Sequence, residues 1–337
     1  MAEIKIINGK FYINGVITNR SGSLSEGKLI GVYTDVCGFF DGSVTDISKN
    51  KREFIENLIV WQKSGVNLIS VGLQSPNPFD EYYKKAREQD KSKNITFKSS
   101  ALKSDGSLDF DYLKNAEEII KSAYNSGLAV LVNILSSSCE DIFEDEFALL
   151  NGILNAADWL SEKKFTNVLV NITDVSHTFY KSSVLNNGRI INVLKSVRER
   201  VKNKLILGMG IKSFSGISDK NIAEYIKLSD FIPLYSNSAV TSHNNNTKKM
   251  LENTYFFREQ MNKTNIDVPI IMAKGDDLSE QYNSYGKNNL LEALENNISW
   301  CYYDKDGFVI LPVNWKKNSS SEKKRFFEIV ENIQKIK

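Results

Sequence analysis

Residues 128–172 read LAVLVNILSSSCEDIFEDEFALLNGILNAADWLSEKKFTNVLVNI. The stretch opens on LAVLVNIL and closes on NVLVNI, two runs whose near-continuous hydrophobicity is what strands covered on both faces require. Between them, FALLNGILNAADWLSEK carries apolar residues at three-to-four spacing, the period of a helix with one buried face. The stretch is therefore one strand–helix–strand unit.

The alternation continues in both directions. Further apolar runs are LIGVYTDV from Leu29, VNLISVGL from Val66, KLILGMG from Lys204, DFIPLY from Asp230, VPIIMA from Val268 and ISWCYY from Ile298, which brings the total to eight. Segments such as REFIENLIVWQKSG and DYLKNAEEIIKSAYNSG have helical spacing, and EKKRFFEIVENIQKI supplies the last helix. Gly65 and Gly127 stand where a left-handed helix cap is common. Eight such units predict an α/β protein with a single (β/α)8 TIM barrel. A doubly wound open sheet uses the same local pattern, but no GxGxxG follows the first strand. Near the start, IKII and KFYI flank Asn8-Gly9, which predicts a hairpin within residues 1–20 that covers the bottom of the barrel. The polar, Lys-rich segment 75–100 reads as a long insertion after the second strand, within one domain spanning 1–337.

Composition narrows the function classes. The net charge is +2 with acids and bases interspersed, so there is no sustained basic face to neutralise phosphates, and nucleic acid is excluded as a partner. The opening MAEIKIINGKFYING lacks the apolar core of a secretory signal, and no apolar run is long enough to span a membrane. The expectation is a soluble protein without a membrane partner, cytoplasmic or exported without a standard signal peptide. Cys37, Cys139 and Cys301 are widely spaced, so no disulfide is expected. His177 and His243 form no HxH or HExxH spacing, and neither metal nor cofactor is expected.

In a barrel of this kind the site is built where the strands end and lead into the helices. Over most of its length the chain resembles the cellulase-like TIM barrels of glycoside hydrolase clan A. The resemblance runs through FYINGVIT, EGKLIGV, GVNLISVGLQSPNP and SALKSDGSLDFDYLKNAEEIIKSAYNSGLAVLV, and ends with VPIIMAKGDD, ISWCYYD and LPVNWKKNSSSEKKRFFEIV. It implies hydrolysis of glycosidic bonds with retention, by a carboxylic acid and a carboxylate nucleophile about 5 Å apart. In this family the acid is the Glu of an Asn-Glu pair after the fourth strand, and the nucleophile is a Glu at the end of the seventh.

At those positions this chain departs from the family. NITDVSHTFY places Asp174 at the Asn and Val175 at the acid, while PIIMAKGDD places Ala273 and Lys274 at the second pair. The arginine of the first strand falls on Thr34, and the histidine of the sixth on Tyr235. Valine carries no proton, and lysine puts a cation where the nucleophilic anion belongs. The reading is a glycoside-hydrolase-like barrel that is catalytically degenerate, with either an oligosaccharide-binding cleft or a structural or interaction role. One alternative is an active glycosidase with relocated carboxylates, Asp174 and Asp276 first among them; a weaker one is a lyase or aldolase that depends on Lys274. The bland reading of Lys274 is an ion pair with Asp276, Asp277 or Asp174. Substrate-binding candidates are Trp300, Tyr235, Asn237, Asp35, Tyr180 and His177. Trp300 would stack on a sugar ring or, in the plainer reading, pack beneath the last helix. Trp61, Trp159 and Trp315 are expected in the core.

Overall fold

The protein's structure is a computed structural model that describes residues 2–19, 21–34, 46–74, 100–136, 142–174, 182–185, 189–211, 217–235, 244–275, 289–303 and 313–334, with only the backbone of 244–249. Strands β1 (Ile4–Ile7), β2 (Lys10–Ile13) and β3 (Val16–Ile17) form an antiparallel sheet in that order. The expected hairpin is present. Asn8 and Gly9 turn at φ 49° and 70°, the positive values that a two-residue hairpin loop demands. A second Asn-Gly pair, Asn14 and Gly15, turns at 56° and 74° and adds β3. Phe11 is fully buried, and with Ile4 it joins Leu29, Leu68, Leu169 and Phe231 in one cluster inside the barrel. The hairpin thus plugs the bottom, as the sequence suggests.

Eight parallel strands follow: β4 (Ile30–Tyr33), β5 (Leu68–Gly72), β6 (Ala129–Ser136), β7 (Val168–Asp174), β8 (Ile206–Gly208), β9 (Ile232–Tyr235), β10 (Ile270–Gly275) and β11 (Ile298–Tyr302). They are hydrogen-bonded in the order β8-β7-β6-β5-β4-β11-β10-β9. Across the seam between β8 and β9, Asp230 N–H donates to the Leu207 carbonyl at 2.8 Å. The Asp230 carboxylate in turn accepts from Leu207 N–H and from Arg198, each at 2.8 Å. One aspartate therefore stitches the nearly closed barrel.

Around the strands lie α1 (Ile47–Lys63), α2 (Phe110–Asn125), α3 (Glu146–Lys163), α4 (Ile190–Val201), α5 (Asp219–Leu228), α6 (Asn244–Thr264), α7 (Asn289–Glu295) and α8 (Ser321–Ile333). Five start on a side-chain cap, from Asp46, Asp109, Asp145, Ser218 and Ser320, which satisfies an amide that the first helical turn leaves open. Gly65 and Gly127 have positive φ at 99° and 79°, as their positions after α1 and α2 suggest. Trp61, Trp159 and Trp315 are buried, and the Trp315 indole N–H donates to Asn50 at 2.7 Å. These form the outer core between sheet and helices. The insertion expected over 75–100 lies outside the described residues except for Ser100, which bridges back to Gln74.

Candidate functional site

Alternation along the strands decides which residues enter the barrel. In β7, Val168, Val170 and Ile172 belong to the outer core while Leu169 belongs to the inner cluster, so Asn171 and Thr173 continue the inner face. The same parity sets Ser70, Asn133 and Tyr235 inside. Their polar groups are bonded to one another: Asn133 donates to the Ser70 hydroxyl at 2.9 Å, and Asn171 donates to the Asn133 carbonyl oxygen at 2.8 Å and to the Tyr235 hydroxyl. Gly210 N–H donates to the Asn171 oxygen at 3.0 Å, and the Tyr235 hydroxyl donates to the Thr173 carbonyl at 3.4 Å. These bonds make a rigid polar floor across β5, β6, β7 and β9. Burial would be costly without such pairing.

Toward the mouth, Tyr33, Asp174, Lys274 and Tyr303 meet from four different strands or strand ends. All are buried, at 8%, 3%, 7% and 5% exposure. The Tyr33 hydroxyl donates to Asp174 Oδ2 at 2.6 Å. Lys274 Nζ lies 4.2 Å from the centre of the Tyr303 ring and 5.1 Å from that of Tyr33, and the two rings meet edge-to-face at 5.5 Å. Ring faces attract a cation, more strongly when water is excluded. Tyr33 therefore serves the lysine with its ring and the aspartate with its hydroxyl.

A β-bulge aims Lys274 inward. Met272 pairs with Leu234 and Trp300, yet Lys274 pairs with Tyr235 and Gly275 with Tyr302, so β10 carries one residue more than either neighbour. Ala273 already faces inward in the inner cluster. The extra residue brings Lys274 to the same side, the re-aiming that a bulge performs beside functional sites. Tyr303 N–H donates to the Gly275 carbonyl at 3.0 Å, which ties the end of β11 to the bulge.

Burial raises the proton affinity of the Asp174 carboxyl above its usual range, while the charge of Lys274 and the Tyr33 hydrogen bond pull it back down. Burial also pushes the Cys301 thiol well up, aided by the nearby Asp174 charge. A carboxyl held above its unfolded value of 3.8 binds its proton more tightly in the fold. Its contribution to stability is therefore largest below pH 3.8 and is lost as pH rises toward the folded value. Melting curves across this range should show D174N gaining on the native protein as pH rises. Native gain over D174N would mean that Lys274 overrides burial.

The sequence candidates divide into three groups. Asp174 and Lys274 come together at the mouth, where the Lys274 charge pulls the Asp174 proton affinity down, and Tyr235 lies in the polar floor. Trp300 does not join them: it is 1% exposed and lies in the outer core with Met272 and Ile30, its register partners. Its indole lies so close to Gly275 that a Cβ there would stand 2.3 Å from the ring. The packing reading replaces sugar stacking, because strand parity turns this side chain away from the mouth. Val175, Asp276, Asp277, Asn237, Asp35, Tyr180, His177 and His243 lie outside the described residues. The floor residues Asn133 and Asn171 were not singled out in the sequence, although each interrupts an apolar run in the same Val-Asn-Ile word. A polar side chain inside such a run has to find a partner inside the barrel.

Among the described residues, no group of three or more His, Cys, Asp or Glu side chains could hold a metal ion. Nor is any described helix long and apolar enough to cross a membrane. Cys301 is a free, buried thiol.

No protein-family model matches the sequence, and no curated protein matches it. Solved structures do match. A β-mannanase from Streptomyces thermolilacinus, in complex with mannohexaose, superposes with a TM-score of 0.58 at 10% identity, covering 99% of this chain and 96% of that one. The catalytic domain of an endoglucanase from Thermobifida fusca, in complex with cellotetraose, gives 0.53 at 14% identity, covering 98% and 97%. An endo-β-1,4-glucanase from Xanthomonas axonopodis pv. citri gives 0.55 at 10% identity, covering 91% and 99%. The fold is thus that of cellulase- and mannanase-type barrels, over nearly the whole chain.

Proposed function

We propose that this chain is a glycoside-hydrolase-like barrel that does not hydrolyse, and that its mouth binds a β-1,4-linked oligosaccharide. The observation that carries this reading is the Tyr33–Asp174–Lys274–Tyr303 cluster at the strand ends. Retaining hydrolysis needs one carboxylate left ionised as nucleophile about 5 Å from a protonated acid. Here the end of the seventh barrel strand presents an ammonium instead, packed between two tyrosine rings. A lysine cation at this place offsets the burial of Asp174 and cannot attack an anomeric carbon that is gaining positive charge.

The binding half of the proposal rests on the polar floor and the aromatic walls. Ser70, Asn133, Asn171 and Tyr235 are fixed by one another, so the floor beneath the strand ends is held in shape before a ligand arrives. The ligand class comes from the solved neighbours, which hold mannohexaose and cellotetraose.

One observation favours a second reading. A carboxyl whose proton affinity is raised by burial is suited to the role of general acid. Asp174 would then protonate the leaving oxygen, with Asp276 as the relocated partner. Calorimetric titration with cellotetraose and mannohexaose, paired with a reducing-end assay on the same samples, separates the two. Binding without sugar release is expected. Release abolished by D174N would establish the relocated acid instead.

A further inference from the structure

We infer that Lys274 is a carbonyl-capturing amine, able to form an imine with a small aldehyde or ketone at the barrel mouth. The bulge in β10 spends an extra residue to turn this lysine inward, and its Nζ is held over the rings of Tyr303 and Tyr33 at 4.2 and 5.1 Å. A nucleophilic amine is useful when it is held in one place beside a proton donor and acceptor, largely out of water. The Tyr33 hydroxyl, bonded to Asp174 at 2.6 Å, supplies that dyad on the ring that lines the lysine. Burial raises the proton affinity of the Asp174 carboxyl, the direction that suits a proton acceptor and donor.

The chemistry closes without a further reagent. The neutral amine of Lys274 adds to the carbonyl carbon, forming the C–N bond while a proton passes from nitrogen to the carbonyl oxygen. The carbinolamine hydroxyl then takes a proton from the Tyr33 hydroxyl and leaves as water. The nitrogen lone pair closes the C=N bond, and the remaining N–H proton returns to the dyad. Lysine and carbonyl compound give imine and water, with no oxidation. Because Lys274 is only 7% exposed, the substrate class is a short carbonyl compound. Capture requires no oligosaccharide, so it stands or falls apart from the carbohydrate-binding proposal.

The test is reductive trapping of the full-length protein with glyceraldehyde and cyanoborohydride, followed by peptide mapping. Lys274 should be modified at least about tenfold faster than the average surface lysine, since a positioned acid–base group contributes on the order of 10²-fold or more. K274R, which keeps the charge, should lose the rapid adduct. Y33F, which keeps the ring and loses the hydroxyl, should trap at least about tenfold more slowly and with an altered pH profile. Labelling of Lys274 no faster than surface lysines, or rapid labelling of a different lysine, would overturn the inference. Mapping the native protein decides the matter even if a variant fails to fold.

Discussion

Replacing Lys274 by methionine should destabilise the barrel by about 3 kcal/mol at neutral pH, because it removes the cation held over the Tyr33 and Tyr303 rings and the charge that offsets the burial of Asp174. Methionine fills much of the space between the Tyr33 and Tyr303 rings, so a cavity is not the cause. The cause is Asp174, 3% exposed, which loses the charge that offsets its burial. The carboxyl then folds only by holding its proton. The loss should therefore shrink as pH falls toward the range where the carboxyl is neutral in both states. Adding D174N to K274M should recover part of it, because residues coupled through one electrostatic environment are not additive. Urea unfolding of the two single variants and the double variant measures this directly. Additive losses would show that Lys274 and Asp174 do not share one electrostatic unit.

Phe11→Ala should cost a similar amount, about 3–5 kcal/mol for a fully buried aromatic cut back to its β-carbon. Phe11 is 0% exposed although it belongs to the hairpin and not to the barrel. Its ring is part of the inner cluster with Leu29, Leu68 and Phe231, so its removal opens the barrel floor from below. Val16, on the same small sheet but 67% exposed, is the control, and its change to alanine should stay within about 0.5 kcal/mol. Equal effects at the two positions would mean that the hairpin is an appendage and not the plug of the core.

The fold was legible because its signals are local. Each of the eight apolar runs became a strand, and the Asn8-Gly9 turn fixed the hairpin. The second Asn-Gly pair, Asn14-Gly15, carried the same signal, and it builds β3. The site was only partly legible, since it depends on direction as well as position. Trp300 stands in the right strand but on the wrong parity, and only the register with Met272 reveals this. Lys274 faces inward through a bulge that nothing in PIIMAKGDD announces, because one extra residue leaves the apolar run looking uninterrupted. The floor formed by Asn133 and Asn171 joins two strands whose pairing appears only once the barrel is assembled.

The proposal that this barrel binds without hydrolysing is tested most directly by quantifying sugar release from cellotetraose and mannohexaose across the acidic to neutral range, with binding followed in the same solutions. The expected result is saturable binding with no release above the uncatalysed background, in the native protein and in D174N alike. Release that follows a bell-shaped pH profile in the native protein, and disappears in D174N, would contradict it and restore Asp174 to the role of catalytic acid.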